Sequence, residues 1–339
     1  MIRYLNRLYW LAYVGAFAIL ALGLHFLFGL KADDAATAAL LVVATGLILA
    51  HAAFHGTAFA LSYSVRQLPQ IKDKRLHFHQ IENEKINAMI GWDWVKAVFY
   101  ESLDTLEMTL LNMPWRSKID DLYIADKQWR KNKPLPVLLL HGYMCNSGVW
   151  VKTRQRLEKA GVSHMTITLE PAIGSIRKYP LRIHNAILEL KAKTGAPQVK
   201  IICHSMGGVA LRYYATEYGH NHVAAAITLG SPHYGTALSL LGVGKNVKQM
   251  AWGSFFLRTL REHPRDVDFQ KKIISVWTAH DTIVSPPTSC KLEFAQNIML
   301  QGCGHMYLMH HPETVALIED WLRADAREYV VPAVESAAL

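Results

Sequence analysis

Two long apolar runs open the chain, and a different rhythm succeeds them. Residues 8–30 carry no charge over 23 positions. As a helix rising about 1.5 Å per residue, such a run spans the roughly 30 Å hydrocarbon layer of a bilayer. Residues 38–61 form a second run, interrupted by Thr45, His51, His55 and Thr57. Lys31 to Thr37 joins them as a short turn, so the pair reads as a helical hairpin. A cleaved signal peptide is the competing reading of the first run. That run exceeds the usual signal core, and a second one comes at once. Tyr9 and Trp10 suit an interfacial aromatic position.

The next stretch, 63–133, is polar and basic and predicts one long helix. From Ile86 to Met113 apolar residues recur at helical spacing, and Phe99, Leu103, Leu106, Leu110 and Met113 make one stripe. That stripe predicts a packing face against the following domain or the bilayer, ended by Pro114. After Lys133 short apolar runs alternate with helical stretches. Strands are predicted at 137–140, 165–169, 199–203, 223–229, 273–278 and 297–300. Helices are predicted at 148–159, 176–193, 206–217 and 312–323. Such alternation predicts an α/β fold, a mostly parallel sheet with helices on both faces. The expected organisation is a hairpin over 1–62, a connector over 63–133, an α/β domain over 134–325 and a loose tail over 326–339. No internal repeat is visible.

Composition sharpens this picture. The 339 residues are 51% hydrophobic and 19% charged, which excludes a disordered chain, a collagen-like repeat and a small disulfide scaffold. Between Leu8 and Ser62, 40 of 55 residues are hydrophobic, so the apolar excess lies in the hairpin. The formal charge of +9 matters through its placement. Arg3 and Arg7 precede the hairpin; Arg66, Lys72, Lys74 and Arg75 come after it; the turn holds one Lys against two Asp. Positive charge at both ends predicts that they face the cytoplasm, with the α/β domain on that side of the membrane. Scattered basic residues favour an anionic lipid surface and give no reason to propose a nucleic-acid partner. The four cysteines match no zinc spacing. A Cys290–Cys303 bridge is open on sequence alone, although free thiols suit a cytoplasmic domain better. A hairpin turning near Asp34 sets His25 apart from His51 and His55, so neither a metal nor another cofactor is expected.

The sharpest chemical signal is Lys200-Ile-Ile-Cys-His-Ser-Met-Gly-Gly-Val209. Ser205 lies between an apolar strand and a helix, with small residues Cys203 and Gly207 two positions away on either side. A serine on a tight strand-to-helix turn needs small neighbours, because the two backbones approach closely there. Ser205 then needs an acid and a base downstream. Asp281 follows the strand at 273–278, at the carboxyl edge where open sheets place their sites. His305 follows the strand at 297–300 and the turn Gln301-Gly-Cys-Gly304. Asp266, Asp268 and Asp320 fall in helical or linker stretches and fit worse. His310 and His311 lead into the last helix, and His204 should point away from the hydroxyl. Tyr143 follows the domain's first strand through His141-Gly142. Its backbone N–H, with that of Met206, is expected to form an oxyanion hole. His141 is then a loop-shaping residue.

These pieces resemble the α/β-hydrolase fold, specifically its bacterial lipases and esterases. The resemblance rests on Leu138 to Tyr143, Leu169-Glu-Pro171 with Gly174-Ser-Ile176, Cys203 to Gly208, Thr228 to Thr236, Asp281, and Gly302 to His305, and covers about 190 residues. It implies carboxylic ester hydrolysis: Ser205 as nucleophile, His305 as base, Asp281 as its orienter, Tyr143 and Met206 as oxyanion donors. The departures are Cys203 for the usual glycine and the hairpin. The expected partners are a lipid or other ester substrate and the membrane. Ala237 to Leu260 interrupts the strand–helix alternation, as either a lid or a core helix. An acyltransferase or thioesterase would use the same triad. An inert hydrolase-like membrane scaffold or transport protein is the alternative from another class, although two spans are few for a transport path.

Overall fold

The computed structural model describes residues 1–65, 89–125, 128 and 133–324. The basic cluster Arg66, Lys72, Lys74 and Arg75, the expected helix start at Ile86 and the tail from 326 lie outside the described residues.

The hairpin consists of α1 (Ile2–Phe28) and α2 (Ala32–Val65), which pack against each other. Both are longer than the apolar runs suggest, and the turn shrinks to residues 29–31. Both are long and apolar enough to cross a membrane, and their apolar side chains are largely exposed, as at Leu22, Phe26, Leu41 and Phe54.

The connector supplies α3 (Gly91–Glu107), a π turn (Met108–Asn112) and a last turn α4 (Met113–Trp115). Pro114 therefore does not end the helix before itself but sits inside the final turn. The wide turn that precedes it adds a residue to the helical ladder and rotates the residues beyond it. This breaks the expected stripe: Phe99 and Leu103 are more than half exposed, whereas Met113 is buried in the domain core. The face that α3 turns inward carries Val98, Glu101, Ser102 and Asp104. At its far end, the carbonyl of Pro114 accepts from the Nε of Arg3 (3.3 Å) and of Arg7 (3.1 Å), where a helix carboxyl end favours positive charge.

Among the described residues seven strands form one sheet. They are β1 (Asp120–Tyr123), β2 (Val137–Leu140), β3 (His164–Ile167), β4 (Val199–His204), β5 (Val223–Leu229), β6 (Ile273–Thr278) and β7 (Gln296–Leu300). Their order is β1-β3-β2-β4-β5-β6-β7, and only β1 runs antiparallel. The stretch read as connector thus also lends the sheet its edge strand. Asp120 pairs with Arg182 (2.8 Å), and Asp121 with Lys118 (3.0 Å) and Arg154.

Every residue of β2, β4 and β6 is buried. A parallel strand covered on both faces reads as a continuous apolar run, because alternate side chains enter different cores. Leu138, Leu140, Ile201 and Cys203 meet α6 (Pro180–Thr194) and α7 (Met206–Tyr218). Val137, Leu139, Ile202 and Ile227 meet α5 (Val151–Lys159) and α11 (Pro312–Arg323). Short helices α8 (Lys245–Gln249), α9 (Phe255–Arg261) and α10 (Pro264–Gln270) fill the insertion between β5 and β6. Cys145, Cys203, Cys290 and Cys303 are separate, buried thiols.

Asp266, a rejected acid candidate, has a structural role. Its carboxylate is fully buried and takes Arg212 of α7 through Nε at 2.8 Å, while Gln270 donates at 2.9 Å. Arg212 also donates to the carbonyl of His233 (3.2 Å), fastening the loop after β5. Breaking one partner of a buried pair leaves an uncompensated charge. Asp266→Ala should therefore destabilise the domain by about 3–5 kcal/mol, read from the shift of its urea unfolding midpoint.

Candidate active site

In a parallel sheet all carboxyl ends share one edge, so loops after different strands can converge there. Ser205 follows β4, Gly230 follows β5, Asp281 follows β6 and His305 follows β7.

Ser205 has φ 53° and ψ −124°, a left-handed conformation that costs a non-glycine residue energy. The close approach of strand and helix holds it there. A side chain at Gly207 would place its Cβ 2.5 Å from the Leu140 carbonyl, so only glycine lets α7 start this close to β2. A Cβ at Gly142 would lie 2.8 Å from that of Ser205 and 3.1 Å from Nδ1 of His204. The Ser205 N–H donates to the Leu229 carbonyl at 2.9 Å, fixing the turn to the neighbouring strand.

Asp281 and His305 meet directly: Nδ1 of His305 lies 2.9 Å from Oδ2 of Asp281. The other carboxylate oxygen accepts the N–H groups of Ile283 (2.8 Å) and Val284 (2.6 Å), so the acid is locked in place. With Nδ1–H given to Asp281, Nε2 of His305 carries the free lone pair. Burial opposes charging of this imidazole, but Asp281 and then Glu101 outweigh it and raise its pKa. Gly230 follows Leu229, whose carbonyl binds the Ser205 N–H, and its Cα faces the pair so closely that an added Cβ would lie 3.1 Å from Nδ1 of His305 and 3.3 Å from Oδ2 of Asp281.

Met206 opens α7 directly after the serine, and Tyr143 follows Gly142, whose Cα faces Ser205. The Tyr143 hydroxyl donates to the Val243 carbonyl (2.7 Å) and accepts from its N–H (3.1 Å). His141 shapes the loop. Its Nε2 accepts from the Leu169 N–H at 2.8 Å, so Nδ1 carries the proton and donates to the Gly142 carbonyl at 2.8 Å. Burial lowers its pKa to about 4, which keeps it neutral. His204 does not reach out towards solvent; its Nε2 lies 3.2 Å from the His305 carbonyl, and the two rings are 4.7 Å apart. His310 is held elsewhere, 2.8 Å from Asp104 of α3.

The segment 237–260 divides in two. Leu240, Leu241 and Val243 are among the most exposed apolar residues outside the hairpin, while Phe256, Leu257 and Leu260 sit in the core beside α7. Its second half is thus core, and its first half is an exposed apolar stretch beside Tyr143.

Two residues near the site carry no sequence signal. Glu101 of α3 is fully buried and accepts the N–H groups of Met306 (2.8 Å) and Tyr307 (2.9 Å). Ser62 of α2 donates to the Asp281 carbonyl at 2.6 Å. Both lie in apolar or polar helical stretches far from any motif, and only the tertiary fold brings them here.

A family model of palmitoyl protein thioesterases matches residues 136–263. Among solved structures, a lipase of Bacillus licheniformis in its mature form superposes with a TM-score of 0.53 at 17% identity, over 60% of this chain and 97% of the other. Lipase B of Aspergillus fumigatus gives 0.52 at 18% identity, over 61% and 56%. The chain thus spans little more than half of the fungal enzyme. At these identities the likeness establishes the fold, and this chain carries an α/β-hydrolase fold.

The packing at Gly142 makes one prediction. Gly142→Ala should push the Tyr143 loop off Ser205; with the Tyr143 N–H in the oxyanion role expected of it, labelling of that serine by a fluorophosphonate should slow about 10²–10³-fold. Measuring the labelling rate beside the melting temperature separates this from unfolding.

Proposed function

We propose that this α/β-hydrolase is a membrane-anchored serine hydrolase that cleaves carboxylic esters through an acyl-enzyme on Ser205. The observation that carries the reading is the Asp281–His305 pair at the sheet edge that also bears the strained Ser205 turn. In this mechanism Nε2 of His305 takes the hydroxyl proton as Ser205 attacks the ester carbonyl. Asp281 holds the imidazole and offsets its charge. The backbone N–H groups of Tyr143 and Met206 receive the developing oxyanion. His305 passes its proton to the departing alcohol and then activates the water that releases the acid.

Two apolar N-terminal helices support the anchor, and the Arg3 and Arg7 contacts at Pro114 set the base of the hairpin against the hydrolase. A lipid ester suits this arrangement, with the exposed Leu240, Leu241 and Val243 as an apolar rim for its chain. The catalytic domain is assigned to the cytoplasmic side. Protease added to right-side-out vesicles should leave residues beyond 89 intact; cleavage there from the outside would reverse the orientation.

A second reading has its own support. The thioesterase family match over 136–263 favours a thioester as the scissile bond, with the same triad and a thiolate leaving group.

The test is a fluorophosphonate probe with p-nitrophenyl esters and acyl thioesters of several chain lengths, on wild type and Ser205→Ala. Wild type should label and turn over, and Ser205→Ala should do neither. Equal labelling of both proteins would refute the nucleophile. The ester-to-thioester ratio of kcat/KM decides between the two readings, and added alcohol reveals acyl transfer.

The pH dependence comes from His305. It must be neutral to accept the proton, and its pKa lies above the ordinary histidine value. Activity is lost when it is protonated, so kcat/KM should fall towards acid with an apparent pKa above 6.5. Asp281→Asn should lower that pKa and reduce kcat by about 10⁴-fold.

A further inference from the structure

The buried carboxylate of Glu101 is not explained by the triad alone. A carboxylate in a dry interior is costly unless its oxygens are met by donors. Here every donor belongs to the two loops that carry the acid and the base. Oε1 accepts the Met306 N–H at 2.8 Å and the Thr282 hydroxyl at 3.2 Å; Oε2 accepts the Tyr307 N–H at 2.9 Å. Thr282 in turn accepts the N–H of His305 at 3.3 Å. The Glu101 carboxyl also fills the space beside Gly304, where an added Cβ would lie 2.5 Å from its Cδ. One side chain therefore touches residues 282, 304, 306 and 307, the immediate neighbours of Asp281 and His305.

The helix that carries it is itself fixed. Asp104, one turn on, binds His310 (2.8 Å) and Lys152 (2.9 Å), and Lys152 also binds Glu107 at 2.7 Å. Tyr100 stacks on Tyr307 with centroids 5.1 Å apart. From the other side, Ser62 donates to the Asp281 carbonyl, and Ser285 donates to the Ser62 carbonyl at 3.2 Å.

We infer that Glu101 is a positioning residue for the Asp281–His305 pair, so that α3, which precedes the sheet, helps to hold the active site in shape. This rests on the triad reading proposed for Ser205, Asp281 and His305. Glu101 acts through backbone and charge, and touches no reacting atom. Its carboxylate ties the loop after β6 to the loop after β7, and its negative charge favours protonated His305. Among the described residues, the other titratable groups facing this region include Asp281, His204 of β4, Cys303, Tyr100, Tyr307 and, one turn further along α3, the Asp104–His310 pair with Lys152. Burial pushes the pKa of Glu101 up to about 7 against the pull of its N–H donors, so it changes charge in the range where His305 works.

The test compares full-length wild type with Glu101→Gln and Thr282→Val in detergent micelles. Glutamine keeps the shape but offers one acceptor oxygen and no charge. Glu101→Gln should lower kcat on p-nitrophenyl butyrate at least tenfold, with KM changed less than twofold. The acid limb of its kcat/KM profile should move to lower pH. Thr282→Val keeps the charge but cuts the bridge to His305; its kcat should fall while the acid limb stays in place. The His305 ring pKa, read by NMR of histidine-labelled protein, should drop in Glu101→Gln whether or not any ester is turned over. That readout separates failure of this inference from failure of the hydrolase reading, which Ser205→Ala tests on its own. A folded Glu101→Gln with unchanged kcat and unchanged His305 pKa overturns the inference. If Glu101→Gln does not fold, a wild-type kcat in Thr282→Val overturns it.

Discussion

Ser205 owes its position to how closely two backbones approach. The first turn of α7 lies against the end of β2, near enough that a methyl group at Gly207 would strike the Leu140 carbonyl. This crowding leaves the residue between β4 and α7 one conformation, at φ 53°, which lifts its side chain out of the strand. The strain is sustained because the flanking strand is wholly buried and paired on both sides. A sheet with less apolar strands would relax the turn. The composition of the strands and the geometry of the serine are therefore one constraint seen at two scales.

The same edge shows a division of labour among the elements. The sheet provides order along the edge: serine, glycine, acid, base, each after successive strands β4 to β7. It does not fix the loops themselves, since the residues from Gln301 to His305 include two glycines and leave the end of an edge strand. Polar groups from outside the sheet do that. Asp281 is held by the amides it folds over, His141 by the Leu169 N–H, and the base loop by a helix that precedes the whole domain.

Much of this was legible in the sequence. Strands β2, β4, β5 and β6 announce themselves because burial on both faces demands unbroken apolar runs. Ser205 and Asp281 stand out because each follows such a run, and His305 because it follows a shorter apolar stretch and a glycine turn. The features that escaped did so for physical reasons. Strand β1 is four residues long, begins with two aspartates and, among the described residues, pairs on one side only, so it carries no hydrophobic signature. Glu101 looks like any charged residue on a helix, and its burial is decided by donors some two hundred positions away. The stripe splits, with Phe99 and Leu103 facing out and Met113 in the core, because one π turn between them shifts the helical phase, which a fixed 3.6-residue period cannot anticipate.

The edge strand has a consequence of its own. An open sheet edge is a template for another chain, and the hazard grows when copies share a surface instead of a volume. On the bilayer proposed for this protein, neighbours would collide side by side and often. The β1 edge is short, and its aspartates are engaged by Arg182, Lys118 and Arg154. A neighbour offering its own copy of this strand would find a ladder only four residues long, whose two aspartates are already held by cations of their own chain. The feature least visible in the sequence thus favours dense two-dimensional packing without strand exchange.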